Sequence, residues 1–264
     1  MHDEEATEIV KHERCLNRST RGTVTGAIIS LAAVFLTTAV DADDAGYSVL
    51  LIGNSHSSRG NLPGVLQQLL ESGSGASANV KAVGNWSFLA ERLDDRKTQE
   101  TLESRRWTHV VLQAQKYSTS GRYSYPTEAA EEWIRRSRSV GAQPILFPEW
   151  ARLDNDEEAG RIHRLHMGIA AREPACVAPI GLAWEILLHA SPDIRLHERD
   201  GNHANRTGAL LTAYVLYAAI TGNSVRELSE RRIRGVPADT QERLRSAAEQ
   251  AVSLAPPCDP YTVQ

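Results

Sequence analysis

At 264 residues and 41% hydrophobic composition, the chain carries enough apolar material for one large core domain, or two at most. Its 29 basic and 33 acidic residues nearly balance and form no long single-sign block. That excludes nucleic acid as the main partner, because phosphate binding needs a concentrated basic face. No Cys/His ligand spacing points to zinc, and no Gly-rich loop or carboxylate cluster points to phosphate-ester chemistry, so neither metal nor cofactor is expected.

In chain order, residues 1–21 are polar and charged, and residues 22–40 ("GTVTGAIISLAAVFLTTAV") run without a charge. A basic flank, a short apolar run and the small residues of "TTAVDADDA" describe a secretory signal cleaved near Ala39 or Ala42. A membrane anchor is the competing reading, although so short and Thr-rich a run is marginal for spanning a bilayer. Both readings place the rest of the chain outside the cytoplasm, secreted or in the cell envelope, with no stable membrane insertion once the signal is cleaved. The segment 1–42 is therefore set apart from a single domain over 43–264. Of three cysteines, Cys15 falls in the removed segment. Cys176 and Cys258 remain, either paired in an oxidising compartment or as a buried thiol and a free one in the tail.

From residue 47 onward, short apolar β-rich runs alternate with helical patterns. Strands are expected over 47–53, 79–84, 108–113, 143–148 and 175–181. Such runs, apolar at nearly every position, suit a parallel sheet covered on both faces. Leu66, Leu69 and Leu70 follow Leu62-Pro63 with helical spacing, and proline suits a first turn. "PTEAAEEWIRRSRSVG" has start and stop signals ending on Gly141. "NRTGALLTAYVLYAAITG" reads as a strongly apolar helix with Gly222 at its C-cap, and the tail from Asn223 as helical in places with an irregular end. The sum is an α/β fold, a three-layer α/β/α sandwich with a five-stranded parallel sheet. In such sheets ligands sit at the carboxyl ends of the strands. Three of those ends are chemically unusual: Gly53-Asn54-Ser55, Gly84-Asn85 and Gln113-Ala114-Gln115.

A serine needs a base within hydrogen-bond reach to become a nucleophile. Of nine histidines, His203 stands out, because Asp200 precedes it by three residues on a loop entering the apolar helix. The carboxylate can accept from one ring nitrogen while the other faces a serine. The plainer reading is that Asp200 or Asn205 merely caps that helix. His56 is too near Ser55 in sequence to be the obvious base, and His163 and His166 lie on a polar helix without further metal ligands.

The order of these residues resembles the SGNH (GDSL-type) hydrolase superfamily, in particular a divergent bacterial branch. Gly53-Asn54-Ser55 matches its first block, Gly84 the glycine of its second, and Asp200-x-x-His203 its last. Gln113-Ala114-Gln115-Lys116 is the nearest counterpart of the third, usually Gly-x-Asn-Asp. The resemblance spans residues 47–222 and implies a hydrolase acting on ester bonds. It implies Ser55 as nucleophile, His203 as general base and Asp200 as its orienting carboxylate. It also implies an oxyanion hole of the Ser55 and Gly84 backbone N–H groups and the Gln115 amide. Gln113 is the alternative donor, since positions two apart in an extended chain share a face. Asn54, Asn85, Trp86 and Gln113 are candidate substrate contacts. The superfamily's exported members imply a small-molecule or O-acyl carbohydrate ester as substrate. Trp86, Tyr117, Tyr123, Tyr125 and Trp150 are candidates to stack on sugar rings, unless Trp86 and Trp150 are core residues. Acyl transfer to a sugar acceptor would use the same residues, and a non-catalytic carbohydrate-binding protein would keep the same fold.

Overall fold

A computed structural model describes residues 46–84, 86–228 and 233–258. The secretory signal expected within residues 1–42 lies outside the described residues, as does Asn85. Five strands form one sheet: β1 (Tyr47–Gly53), β2 (Ala78–Gly84), β3 (His109–Leu112), β4 (Gln143–Leu146) and β5 (Cys176–Val177), in the order β2-β1-β3-β4-β5. Every neighbouring pair is parallel. The described helices are α1 (Leu62–Ser74), α2 (Leu89–Arg92), α3 (Arg96–Glu103), α4 (Glu128–Ser139), α5 (Glu158–Arg172), α6 (Ile180–Ala190), α7 (Arg206–Thr221) and α8 (Ala238–Leu254).

Alternation along the strands splits the core into two layers. Val49 and Leu51 of β1 pack with Val111 and Ile145 under α1, α6, α7 and α8. Leu50 and Ile52, one residue out of phase, join Val110, Leu112 and Leu146 under α2, α3 and α4. Both faces being covered explains why these strands read as continuous apolar runs. Helix α7 is buried all round, as its sequence requires. Asn205 caps its N-terminus by accepting from Thr207 and Gly208 N–H, and Gly222, at φ 70°, closes its C-terminus.

The strand bounds differ from the sequence reading by a residue or two in β2, β3 and β4 and most of all in β5. The fifth strand stops at Val177, because Ala178-Pro179 turns the chain into α6 at Ile180. The tail forms a 17-residue helix, α8, before the irregular stretch 255–258. There Cys258 forms a disulfide with Cys176 of β5 across 82 residues of sequence. Next to it, Pro257 O accepts from Val177 N–H at 2.7 Å. The tail thus pairs with the open edge of β5 and is tied down beside it.

Candidate active site

The site is built on the carboxyl ends of β1, β2, β3 and β4. Strand β1 ends at Gly53, and Ser55 opens a one-turn 3-10 helix (Ser55–Ser57) two residues later. Gly53 is packed close, because a Cβ there would run into Gln113 Oε1 and lie 2.8 Å from Ser57 Oγ, so a larger residue would have to displace both side chains. Gly84 is in register with Gly53 on the neighbouring strand. A Cβ on Gly84 would come 3.3 Å from Asn54 O, so the two glycines meet under the serine turn.

His203 and Asp200 sit on a tight hairpin before α7. His197 bridges Ala204, Glu198 N–H donates to His203 O at 2.7 Å, and Gly201 makes the bend at φ 66°. The Asp-x-x-His spacing has a physical reason. One Asp200 oxygen accepts the backbone N–H groups of Asn202 and His203, both at 2.9 Å, and the other lies 2.5 Å from His203 Nδ1. Nε2 of the same ring is 2.8 Å from Ser55 Oγ. With the carboxylate as acceptor, Nδ1 carries the ring proton and Nε2 accepts from the serine hydroxyl. The His203 bond, then the two backbone N–H groups, hold the Asp200 carboxyl well below the usual carboxylate range. Ser55, His203 and Asp200 therefore come within hydrogen-bond reach although Ser55 and His203 stand 148 positions apart in sequence. It is Asn205, not Asp200, that caps the helix.

The glutamines stand elsewhere than the resemblance implies. Gln115 Nε2 gives its hydrogens to Lys116 O and Pro126 O, both at 2.9 Å, and so ties down the loop after β3. An amide with both hydrogens on carbonyls has none left for an oxyanion, which corrects the expectation for Gln115. Gln113 is fully buried and cannot touch a substrate. Its Oε1 accepts from Asn54 N–H at 2.8 Å, and its Nε2 donates to Glu149 at 2.9 Å. Between the two, Ala114 holds φ 76°, a left-handed conformation costly for a residue with a Cβ. Asn54 Oδ1 faces inward, accepting from His56 N–H at 3.0 Å with His56 Nδ1 3.1 Å away.

Several residues of the site had no signal in the sequence. Arg92 is 1% exposed, and its Nε and Nη2 donate to Gly53 O at 3.0 and 2.6 Å. His56 and Glu149 lie behind the serine turn, 3.6 Å apart. An Arg in a charged helical stretch and a Glu before a Trp look like solvated surface until the fold buries them. Among the aromatics, Trp150 is core: it stacks on Trp184 with centroids 4.2 Å apart and donates to Asn202 O at 2.9 Å. Trp86, two residues past Gly84, is 79% exposed, and Tyr123 is 70% exposed. Tyr117 and Tyr125 are half-buried, with Lys116 Nζ over the Tyr125 ring. Among the described residues no group of three His, Cys, Asp or Glu side chains is placed to hold a metal ion.

A five-stranded parallel sheet covered by helices on both faces gives the molecule the fold of the SGNH hydrolases, with Ser55, His203 and Asp200 meeting at the carboxyl edge of that sheet. No protein family and no curated protein matches the sequence. Solved structures do match. A candidate SGNH hydrolase from Slackia heliotrinireducens is 23% identical and aligns over 65% of this chain and 97% of its own, with a TM-score of 0.54. A DUF4886 family protein from Bacteroides uniformis reaches a TM-score of 0.63 at 17% identity, over 79% of this chain and 95% of its own. An acetyl-xylooligosaccharide esterase from a Geobacillus aligns at 0.52 and 12% identity, over 67% and 96%.

Proposed function

We propose that the chain is an SGNH-type serine esterase that cleaves an O-acyl ester through an acyl-enzyme. The observation that carries this reading is the chain of short contacts from Ser55 Oγ through His203 to Asp200, 2.8 and 2.5 Å long. His203 takes the serine proton as Oγ attacks the acyl carbon, and then gives it to the leaving alcohol. Water repeats the sequence in reverse to free the acid. Asp200, held ionised, keeps the ring in the tautomer that accepts from serine and stabilises the imidazolium. The N–H groups of Ser55, at the start of its 3-10 turn, and of Gly84 are the oxyanion donors, each contributing on the order of 3 kcal/mol.

The substrate in this reading is an acylated carbohydrate. Trp86 supports it, as an exposed indole beside the Gly84 turn, a ready face for a sugar ring. The similarity to an acetyl-xylooligosaccharide esterase and to an acetyl xylan esterase points the same way. Export is part of the proposal: the Cys176–Cys258 disulfide suits an oxidising compartment. The test is labelling by a fluorophosphonate, mapped by mass spectrometry, beside turnover of p-nitrophenyl acetate and acetylated xylo-oligosaccharides. Ser55 is expected to carry the label, and Ser55→Ala to abolish both label and turnover. Turnover that survives Ser55→Ala overturns the reading.

A further inference from the structure

Beside the His203–Asp200 pair stands a second imidazole with a carboxylate behind it. His56 is 8% exposed, and its ring lies against that of His203 with centroids 4.9 Å apart and planes within 25°. Its own plane is set from three sides. Nδ1 faces Asn54 Oδ1 at 3.1 Å and Glu149 Oε2 at 3.6 Å, and the Trp150 ring closes over it at 5.2 Å. Glu149 is itself held by Gln113, whose other end holds Asn54 N–H. Trp150 is fixed by its stack on Trp184 and by its bond to Asn202 O, the residue before His203. The contacts therefore close a circuit from the His203 hairpin through Trp150 and His56 back to the face of the His203 ring.

We propose that His56, clamped by Glu149 and Asn54, is a positioning residue for the general base. This rests on the esterase reading of Ser55 and His203 and adds to it. The Cβ tether and the bonds at Nδ1 and Nε2 set the mean plane of the His203 ring, about which it can still rock. The His56 ring, packed against one face at 25°, limits that rocking and keeps water off the face. The serine hydroxyl then meets the Nε2 lone pair in line, and the imidazolium formed during attack stays next to Asp200. The arrangement also gives Asn54 a task that an aspartate would perform no better. It offers one oxygen to two N–H groups of His56, and an amide oxygen accepts both without placing a second charge beside Glu149.

The test uses His56→Ala, His56→Phe and Glu149→Gln in the full chain, with kcat expressed per fluorophosphonate-titrated site. The second readout is the downfield proton resonance of the His203 Nδ1–H···Asp200 bond, which needs no turnover. His56→Ala is expected to lower kcat about 10- to 100-fold, the usual range for partners that orient a functional imidazole, with KM within about threefold. The resonance broadens or disappears. His56→Phe restores the flat face against His203, recovers most of the lost kcat and returns the resonance. Glu149→Gln gives a smaller loss of kcat of the same kind. A His56→Ala protein with kcat per site within threefold of the unsubstituted chain and an unchanged resonance overturns the proposal. So does a His56→Phe protein that folds yet behaves as His56→Ala. If the unsubstituted chain is not labelled at Ser55, the esterase reading falls alone, and the resonance still decides whether His56 holds the ring.

Discussion

Replacing Arg92 by methionine tests whether the serine turn is held from below. The side chain is fully buried, and two of its N–H groups converge on the last carbonyl of β1, Gly53 O, at 3.0 and 2.6 Å. A third reaches Thr98 Oγ1 at 2.9 Å, and Asp95 lies 3.4 Å away as the counter-charge. Methionine fills a similar volume but offers no donor. Gly53 O is then left in a dry site without these partners, and Asp95 without its cation. A hydrogen bond from a charged donor contributes about 1.5–3 kcal/mol, and a buried acceptor left without a partner costs about 1–3 kcal/mol. The two figures describe the same loss, and Asp95 is a third exposed and keeps its solvent, so the expected destabilisation is about 2–3 kcal/mol. With a urea slope of about 2 kcal/mol/M, the midpoint drops by about 1 M. Because Gly53 precedes Ser55 by two residues, the surviving folded molecules should also lose kcat per titrated site, with KM less affected. Urea unfolding followed by tryptophan fluorescence measures the first effect and active-site titration the second. A loss under 1 kcal/mol at unchanged slope would falsify the reasoning, since it would mean that Gly53 O needs no partner.

Asp200→Asn should lower kcat by roughly 10⁴-fold while Ser55 remains present, because an amide cannot fix the productive tautomer; steady-state kinetics on p-nitrophenyl acetate checks this. Cys176→Ser with Cys258→Ser should cost about 4–5 kcal/mol by loop entropy for a bridge across 82 residues, read from thermal or urea unfolding. Burial pushes the His166 imidazole down to about 4 from an ordinary value of 6.5. A folded pKa below the unfolded one means the unfolded chain takes the proton first, so this contribution is intact above pH ~6.5 and is lost as pH falls towards ~4. The full shift corresponds to about 3 kcal/mol. His166→Leu should flatten stability against pH across that window, and an unchanged slope in urea titrations from pH 7 to 4 refutes the assignment.

The parts of the molecule legible in the sequence are those where local chemistry and global position agree. Strand β1 declared itself because both faces are buried, α7 because it is apolar all round, and Gly222 because a left-handed cap has no cheaper residue. The Asp200–His203 spacing was legible for a related reason: one carboxylate serves both the turn and the ring, so the pair is encoded within four residues. Gln115 misled because family order locates a position but not a rotamer. Its extra methylene brings the amide to Lys116 O and Pro126 O, acceptors that the sequence does not reveal. Arg92, His56 and Glu149 were silent because each acts through partners 36 or more residues away or through ring packing, and neither leaves a period or a spacing.

The departures from the superfamily pattern hang together when their contacts are followed. Gln113 stands where the pattern has glycine, and its side chain runs back under β1, so close to Gly53 that a Cβ there would have to displace it. Its carbonyl oxygen takes Asn54 N–H and its amide takes Glu149, so one residue joins the turn after β1 to the loop after β4. Glu149 in turn faces His56, whose backbone and ring both approach Asn54 Oδ1. An aspartate at position 54 would bring a second carboxylate to His56 beside Glu149, and the two like charges would repel across the same ring nitrogen. Asparagine supplies the acceptor without the charge. Asn54, Gln113, Glu149 and His56 are thus one interlocked set, and reverting Asn54→Asp alone should cost activity although it restores the commoner residue. Turnover equal to or above that of the unsubstituted chain would show that the four positions vary independently.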